Sequence, residues 1–97
     1  MKKKPLMPEA IIKKEERYSD GINYSYELSM RKSENPRIDA ALYSINVKMT
    51  DLRGNSTTAN AKEVFTDPGH AILFFDKIVN SLATPVDLAY VVEDELR

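Results

Sequence analysis

Asp67-Pro68-Gly69-His70-Ala71-Ile72-Leu73-Phe74-Phe75-Asp76-Lys77-Ile78-Val79-Asn80-Ser81-Leu82-Ala83 runs directly into Thr84-Pro85-Val86-Asp87-Leu88-Ala89-Tyr90-Val91-Val92-Glu93-Asp94-Glu95-Leu96. Both segments open on a capping residue followed by proline, Asp67-Pro68 and Thr84-Pro85. A side-chain oxygen at the cap accepts from otherwise unpaired amide groups, and proline fits the first helical position because it has no N–H to waste. Thr84 with Asp87 three residues on is a variant of the capping box. The pair therefore reads as two consecutive helices. In the first, Ala71, Phe75, Ile78 and Leu82 form an apolar stripe, flanked by Ile72 and Val79; in the second, Leu88, Val91, Val92 and Leu96 do, with Ala89.

A helical pair with one apolar side needs a surface to cover, and the preceding residues supply it. Ile22, Tyr24, Tyr26, Leu28 and Met30 alternate with polar residues, the period of a strand with one buried and one wet face. Ala41, Tyr43, Ile45, Val47 and Met49 repeat the pattern. Ahead of the first of these, Ser19-Asp20-Gly21 favours a tight primed turn, so Ala10 to Tyr18 reads as a strand pairing with it. Lys32 to Asp39 reads as a loop around Asn35-Pro36, and Asp51 to Ser56 as a turn. Thr57 to Phe65 reads as a fourth strand at an edge, with Lys62 and Glu63 discouraging further pairing. Short connections make sequential strands pair. The expectation is α+β: an antiparallel three- to four-stranded meander covered on one face by two C-terminal helices. Residues 1–9 read as a mobile basic tail, and 10–97 as a single domain.

Composition narrows function by exclusion. The chain has 97 residues, 42% hydrophobic and 30% charged, with a formal net charge of −1, so the overall basic footprint of a nucleic-acid binder is absent. It has no cysteine, which excludes disulfides, thiolate metal sites and a cysteine nucleophile. The basic start is not followed by an apolar stretch of signal-peptide length, and the longest apolar run, Ala71 to Phe75, is far short of the ~20 residues of a membrane span. A cytoplasmic protein with no membrane contact is expected.

His70, the only histidine, stands in the first helical turn beside Gly69, where a helix N-terminus attracts anions. Gly69 and His70 are thus a candidate anion site, with a solvent-facing first-turn residue as the plainer expectation. Glu93, Asp94 and Glu95 diverge by about 100° each on a helix and do not converge on one ion; solvation or pairing with strand lysines is expected. Tyr18, Tyr24, Tyr26 and Tyr43 lack the interleaved cations of a base-stacking platform. The glycines make no phosphate loop, and no catalytic residue, metal site or cofactor is assigned.

Tyr24-Ser25-Tyr26-Glu27-Leu28, Tyr43-Ser44-Ile45 and the ending Pro85, Leu88, Val91, Val92, Glu93, Asp94, Leu96 resemble a Firmicutes family of short proteins described as a domain of unknown function. Ser44 stands where that family's strand carries glycine in Tyr-Gly-Ile, and Asp87-Leu88 and Tyr90 where it carries a His-Leu and an aspartate. The resemblance covers about residues 20–96 and implies no function or site.

The leading expectation is a non-enzymatic protein acting through contacts with a protein partner, as a regulatory or adaptor subunit. The alternative is a nucleic-acid-binding module using Lys2 to Lys4 and the first strand; residues 1–17 hold six basic and three acidic residues, a local net of +3. A third is a small enzyme built on His70 with Asp67 or an acid of the last helix, which needs a deep pocket there. The run Ala71 to Phe75 is apolar all round its helix, so Leu73 and Phe74 are expected to stay exposed beside Asp76 and Lys77. These four residues are the expected interface, and a homodimer through the first helix or an open strand edge is the expected assembly.

Overall fold

The Asp20-Gly21 step makes the first turn of the sheet. Both residues take positive φ, 52° and 78°, as a primed two-residue hairpin requires. A Cβ on Gly21 would also meet Leu52 Cδ1 at 3.0 Å, because the next turn on that side folds its leucine across it. The turn joins β1 (Ala10–Ser19) to β2 (Ile22–Lys32), followed by β3 (Ala41–Thr50) and β4 (Ser56–Phe65). The computed structural model describes residues 9–33, 37 and 40–97. The basic tail, and most of the Lys32 to Asp39 loop, lie outside the described residues.

The sheet is an antiparallel meander in the order β1-β2-β3-β4. Its register places Leu28 opposite Ile45 and Tyr26 opposite Val47, so the alternating apolar residues of β2 and β3 share one face. Two helices cover that face: α1 (Pro68–Asn80) and α2 (Pro85–Glu95). The expected α+β architecture is the one observed. No described helix is long and apolar enough to cross a membrane.

Both caps form as the sequence implies. Asp67 accepts from the His70 amide, and Thr84 and Asp87 complete a reciprocal capping box. The first helix ends without its customary glycine. Leu82 takes φ 54° and donates to the Val79 carbonyl, while Ala83 donates to that of Ile78, closing the terminus by the two bonds of a Schellman motif. Tyr26 ties this turn to the sheet: its phenol donates to the Ala83 carbonyl at 2.9 Å.

Which helix residues go inside differs from the periodicity reading. Ala71, Phe74, Phe75, Ile78 and Val79 are buried, whereas Ile72 is turned outward. Phe74 is covered because Phe65, at the end of β4, presents its ring to it with centroids 5.1 Å apart. In α2 the buried residues are Pro85, Leu88 and Val92; Leu96 and Ala89 are exposed, and Val91 is half-buried. Leu96 ends up outside because it is the C-cap, beyond the stretch that lies on β4.

Between β3 and β4 the ladder is interrupted. Tyr43 faces Phe65 and Ile45 faces Ala61, so Ser44 alone stands against residues 62–64. The extra residues form a bulge, with Glu63 at φ 56°. The buried Ser44 hydroxyl accepts from the Glu63 amide at 2.8 Å. The Glu63 carboxylate is held in turn by the Arg31 guanidinium, reaching across from β2. The edge strand expected from Thr57 to Phe65 therefore exists, but Glu63 is anchored in the bulge and is not an edge charge.

Candidate functional site

His70 does not stand alone at the start of α1. Its Nε2 lies 2.7 Å from Glu95 Oε2 on the last turn of α2. The ring also packs against Phe65, with centroids 4.6 Å apart. Lys77, two turns along α1, reaches the other Glu95 oxygen at 3.5 Å. The hydrogen bond from His70, helped by the Lys77 charge, holds the Glu95 carboxyl below the usual carboxylate range. The cluster joins the N-terminus of one helix to the C-terminus of the other, so the helices run antiparallel.

This geometry changes what the first turn offers an anion. The Asp67 carboxylate already accepts from the His70 amide at 2.7 Å, and it sits 3.3 Å from where a Cβ on Gly69 would lie. Glu95 meets the ring at Nε2. The positive end of the helix is thus already occupied by the Asp67 carboxylate, and the His70 ring by that of Glu95. The three consecutive acids do not converge, and of the two expected settings, solvation or pairing with strand lysines, the exposed Glu93 and Asp94 take the first. Glu93 meets Arg97 at 3.1 Å, one turn on, and Glu95 meets α1.

The four residues of the expected interface separate. Phe74 is 1% exposed and belongs to the core, which removes it from any surface. Asp76 turns toward the sheet, where Lys13 of β1 meets it at 2.6 Å while lying over the Phe75 ring. Leu73 is 73% exposed, and Lys77 is on the same outward face one turn later. Beside Lys77 runs a groove of about 470 Å³, lined by Lys77, Tyr90, Val91, Glu93, Asp94 and Arg97. Tyr90 is also 73% exposed. The helical wheel of α2 sets Tyr90, Asp94 and Arg97 together away from the buried stripe; only the antiparallel packing brings that face beside Lys77.

The basic first strand is compensated. Lys13 is bound to Asp76, Lys14 lies 3.8 Å from Glu27, and Arg17 lies 3.1 Å from Glu15. Tyr26 and Tyr43 are buried beneath the helices, while Tyr24 stacks on Tyr26 at 6.4 Å, so these rings pack the core and do not form an open platform. The Lys2 to Lys4 run lies outside the described residues. Among the described residues, no group of three His, Asp or Glu side chains is placed to hold a metal.

A family model described as a family of unknown function, DUF6514, matches residues 7–97. Among curated proteins and among solved structures, nothing matches.

Proposed function

The chain belongs to DUF6514, a family of unknown function, and from that premise we propose that it is a non-enzymatic contact protein, a regulatory or adaptor subunit working through the outward face of α1 and α2. One observation carries the reading. Tyr90, 73% exposed, lines a groove whose walls carry charges of both signs, and Leu73, also 73% exposed, lies one helical turn before Lys77 of that groove. Large apolar side chains grouped with a charged rim are the composition of a contact surface. The first partner is a second copy. A two-fold axis over the groove sets Lys77 of one protomer against Asp94 of the other and buries Leu73 beside Tyr90, as an isologous contact requires. His70 suits a structural part in this reading, since its ring is engaged by Phe65 and Glu95.

Sedimentation equilibrium at micromolar concentration tests it, with wild type and Leu73→Glu side by side. The expected result is a dimer that Leu73→Glu dissociates without lowering helix content. Matched affinity captures from the native host cover a foreign partner: wild-type bait must retain a protein that Leu73→Glu and Tyr90→Asp baits both lose. A monomer throughout, with identical captures from all three baits, would overturn the reading.

A further inference from the structure

The two edges of the sheet are built differently, and the difference identifies a second surface. On β1, five consecutive residues, Lys13-Lys14-Glu15-Glu16-Arg17, are charged, which discourages a further strand. On β4 the first six residues, Ser56-Thr57-Thr58-Ala59-Asn60-Ala61, carry no charge, and Lys62 and Glu63 follow only at the bulge. Among the described residues, β4 pairs with β3 alone.

Above that edge the core is thin. Val47 and Ile45 are paired with Ala59 and Ala61, so the sheet falls from branched aliphatic side chains to methyl groups at its last strand. The helix above does not fill the difference. What remains is a trough of about 320 Å³, lined on the helix side chiefly by Pro85, Leu88, Ala89, Val92 and Glu93. Asn60, which alternates with the two alanines, also borders it, so the trough opens onto the free edge of β4.

We propose that the β4 edge and the trough beneath α2 form a strand-addition site for an extended peptide segment of a partner protein. The segment carries small branched aliphatic side chains at alternate positions and a lysine or arginine beside them. An added strand lies about 4.8 Å from β4 and places alternate side chains about 7 Å apart on one face. Ladder hydrogen bonds to β4 hold the backbone, and the trough receives the aliphatic side chains. Charge selects the occupant. α2 carries Asp87, Glu93, Asp94 and Glu95 and no cation, so a second copy docked here would lay two acidic helices side by side. A basic segment instead meets Glu93, which lines the trough and, among the described residues, has its carboxylate engaged by the exposed Arg97. This surface uses neither Leu73 nor Lys77; Glu93 borders both grooves, so Leu73→Glu and Ala89→Tyr are the variants that separate it from the helix-face contact.

The probe is a blocked, fluorescein-labelled Lys-Val-Thr-Val-Thr-Val-Lys peptide, followed by fluorescence polarisation against the full chain; the same peptide with glutamate at both ends is the control. Saturable binding of the lysine peptide alone is expected. Ala89→Tyr, an exposed helix position whose new ring fills the trough, should weaken binding about tenfold or more with the thermal midpoint unchanged. Glu93→Lys should transfer the preference to the glutamate peptide. Leu73→Glu should leave binding as it is. Absence of saturable binding, or binding unaffected by Ala89→Tyr, would overturn the proposal. So would a wild-type dimer that Ala89→Tyr alone breaks, because the occupant would then be a second copy.

Discussion

At the scale of single residues, the two most consequential polar groups are buried ones with one job each. Ser44, 2% exposed, supplies the acceptor for the Glu63 amide at the bulge. Removing the hydroxyl leaves that amide without its partner at a residue already in the left-handed region. Ser44→Ala is therefore expected to cost about 1–3 kcal/mol, read as a lower urea midpoint at unchanged slope. Glycine would lack the acceptor too, so Ser44→Gly should be at least as costly here. Tyr26 is the second case. Burial pushes its phenol up to about 12, and the Tyr24 beside it adds to the shift. A folded pKa above the unfolded value means that the tyrosine's contribution is complete below about pH 10 and lost as pH rises through about 12. Tyr26→Phe keeps the ring but strands the Ala83 carbonyl, with an expected cost of about 1–3 kcal/mol. It should also flatten the alkaline limb of the stability curve; a limb that stays as steep would show that another group sets it.

At the scale of elements, the joint between the helices titrates. The Glu95 carboxyl lies lower in the folded chain than its ordinary value, chiefly through His70 and then Lys77. A depressed carboxylate contributes stability above its unfolded pKa, and that contribution disappears as pH falls through the folded one. The thermal midpoint of wild type should exceed that of Glu95→Gln at pH 6, and the two should converge toward pH 3. A pH-independent gap would mean that the pair contributes nothing through charge. The joint has a sequence basis only in part. The caps at Asp67 and Thr84 are local signals, legible because an N-cap and the proline after it act within one turn. That His70 faces Glu95 depends on a short, glycine-free reversal at Leu82 and on the side of β4 to which α2 returns.

At the scale of the whole molecule, one sheet and one helical layer make a slab 49 × 35 × 19 Å. Among the described residues, a single layer of helices leaves the other sheet face and both edges open, and the edges are managed unequally. If the charges of β1 protect it, Lys14→Val with Glu16→Val should turn that strand into an aggregation template. Light scattering at 37 °C should rise with time in the double variant and stay flat in wild type. Equal traces would assign the protection to some other feature of that edge.

The order of elements, the meander, the helical cover and the primed turn at Asp20-Gly21 were determined by the sequence itself. Each is written in interactions between residues one to four apart: alternation, capping and the φ preference of Asp-Gly. Tertiary structure alone decided what the two helix faces do. Phe74 went inside because Phe65 lies against it, and Asp76 turned to Lys13 of the first strand, whereas Leu73 stayed outside beside Lys77 as the helical wheel implies. It also decided the Ser44–Glu63 bulge, since Tyr43-Ser44-Ile45 alternates like an ordinary strand and the extra residues belong to its neighbour. The trough at Ala59 and Ala61 arises in the same way. An alanine in a strand is unremarkable until the register sets it beside Val47 and Ile45 under a helix that does not fill the gap. Local preferences choose the elements, whereas register and packing angle, which couple residues far apart in the chain, choose what each surface presents.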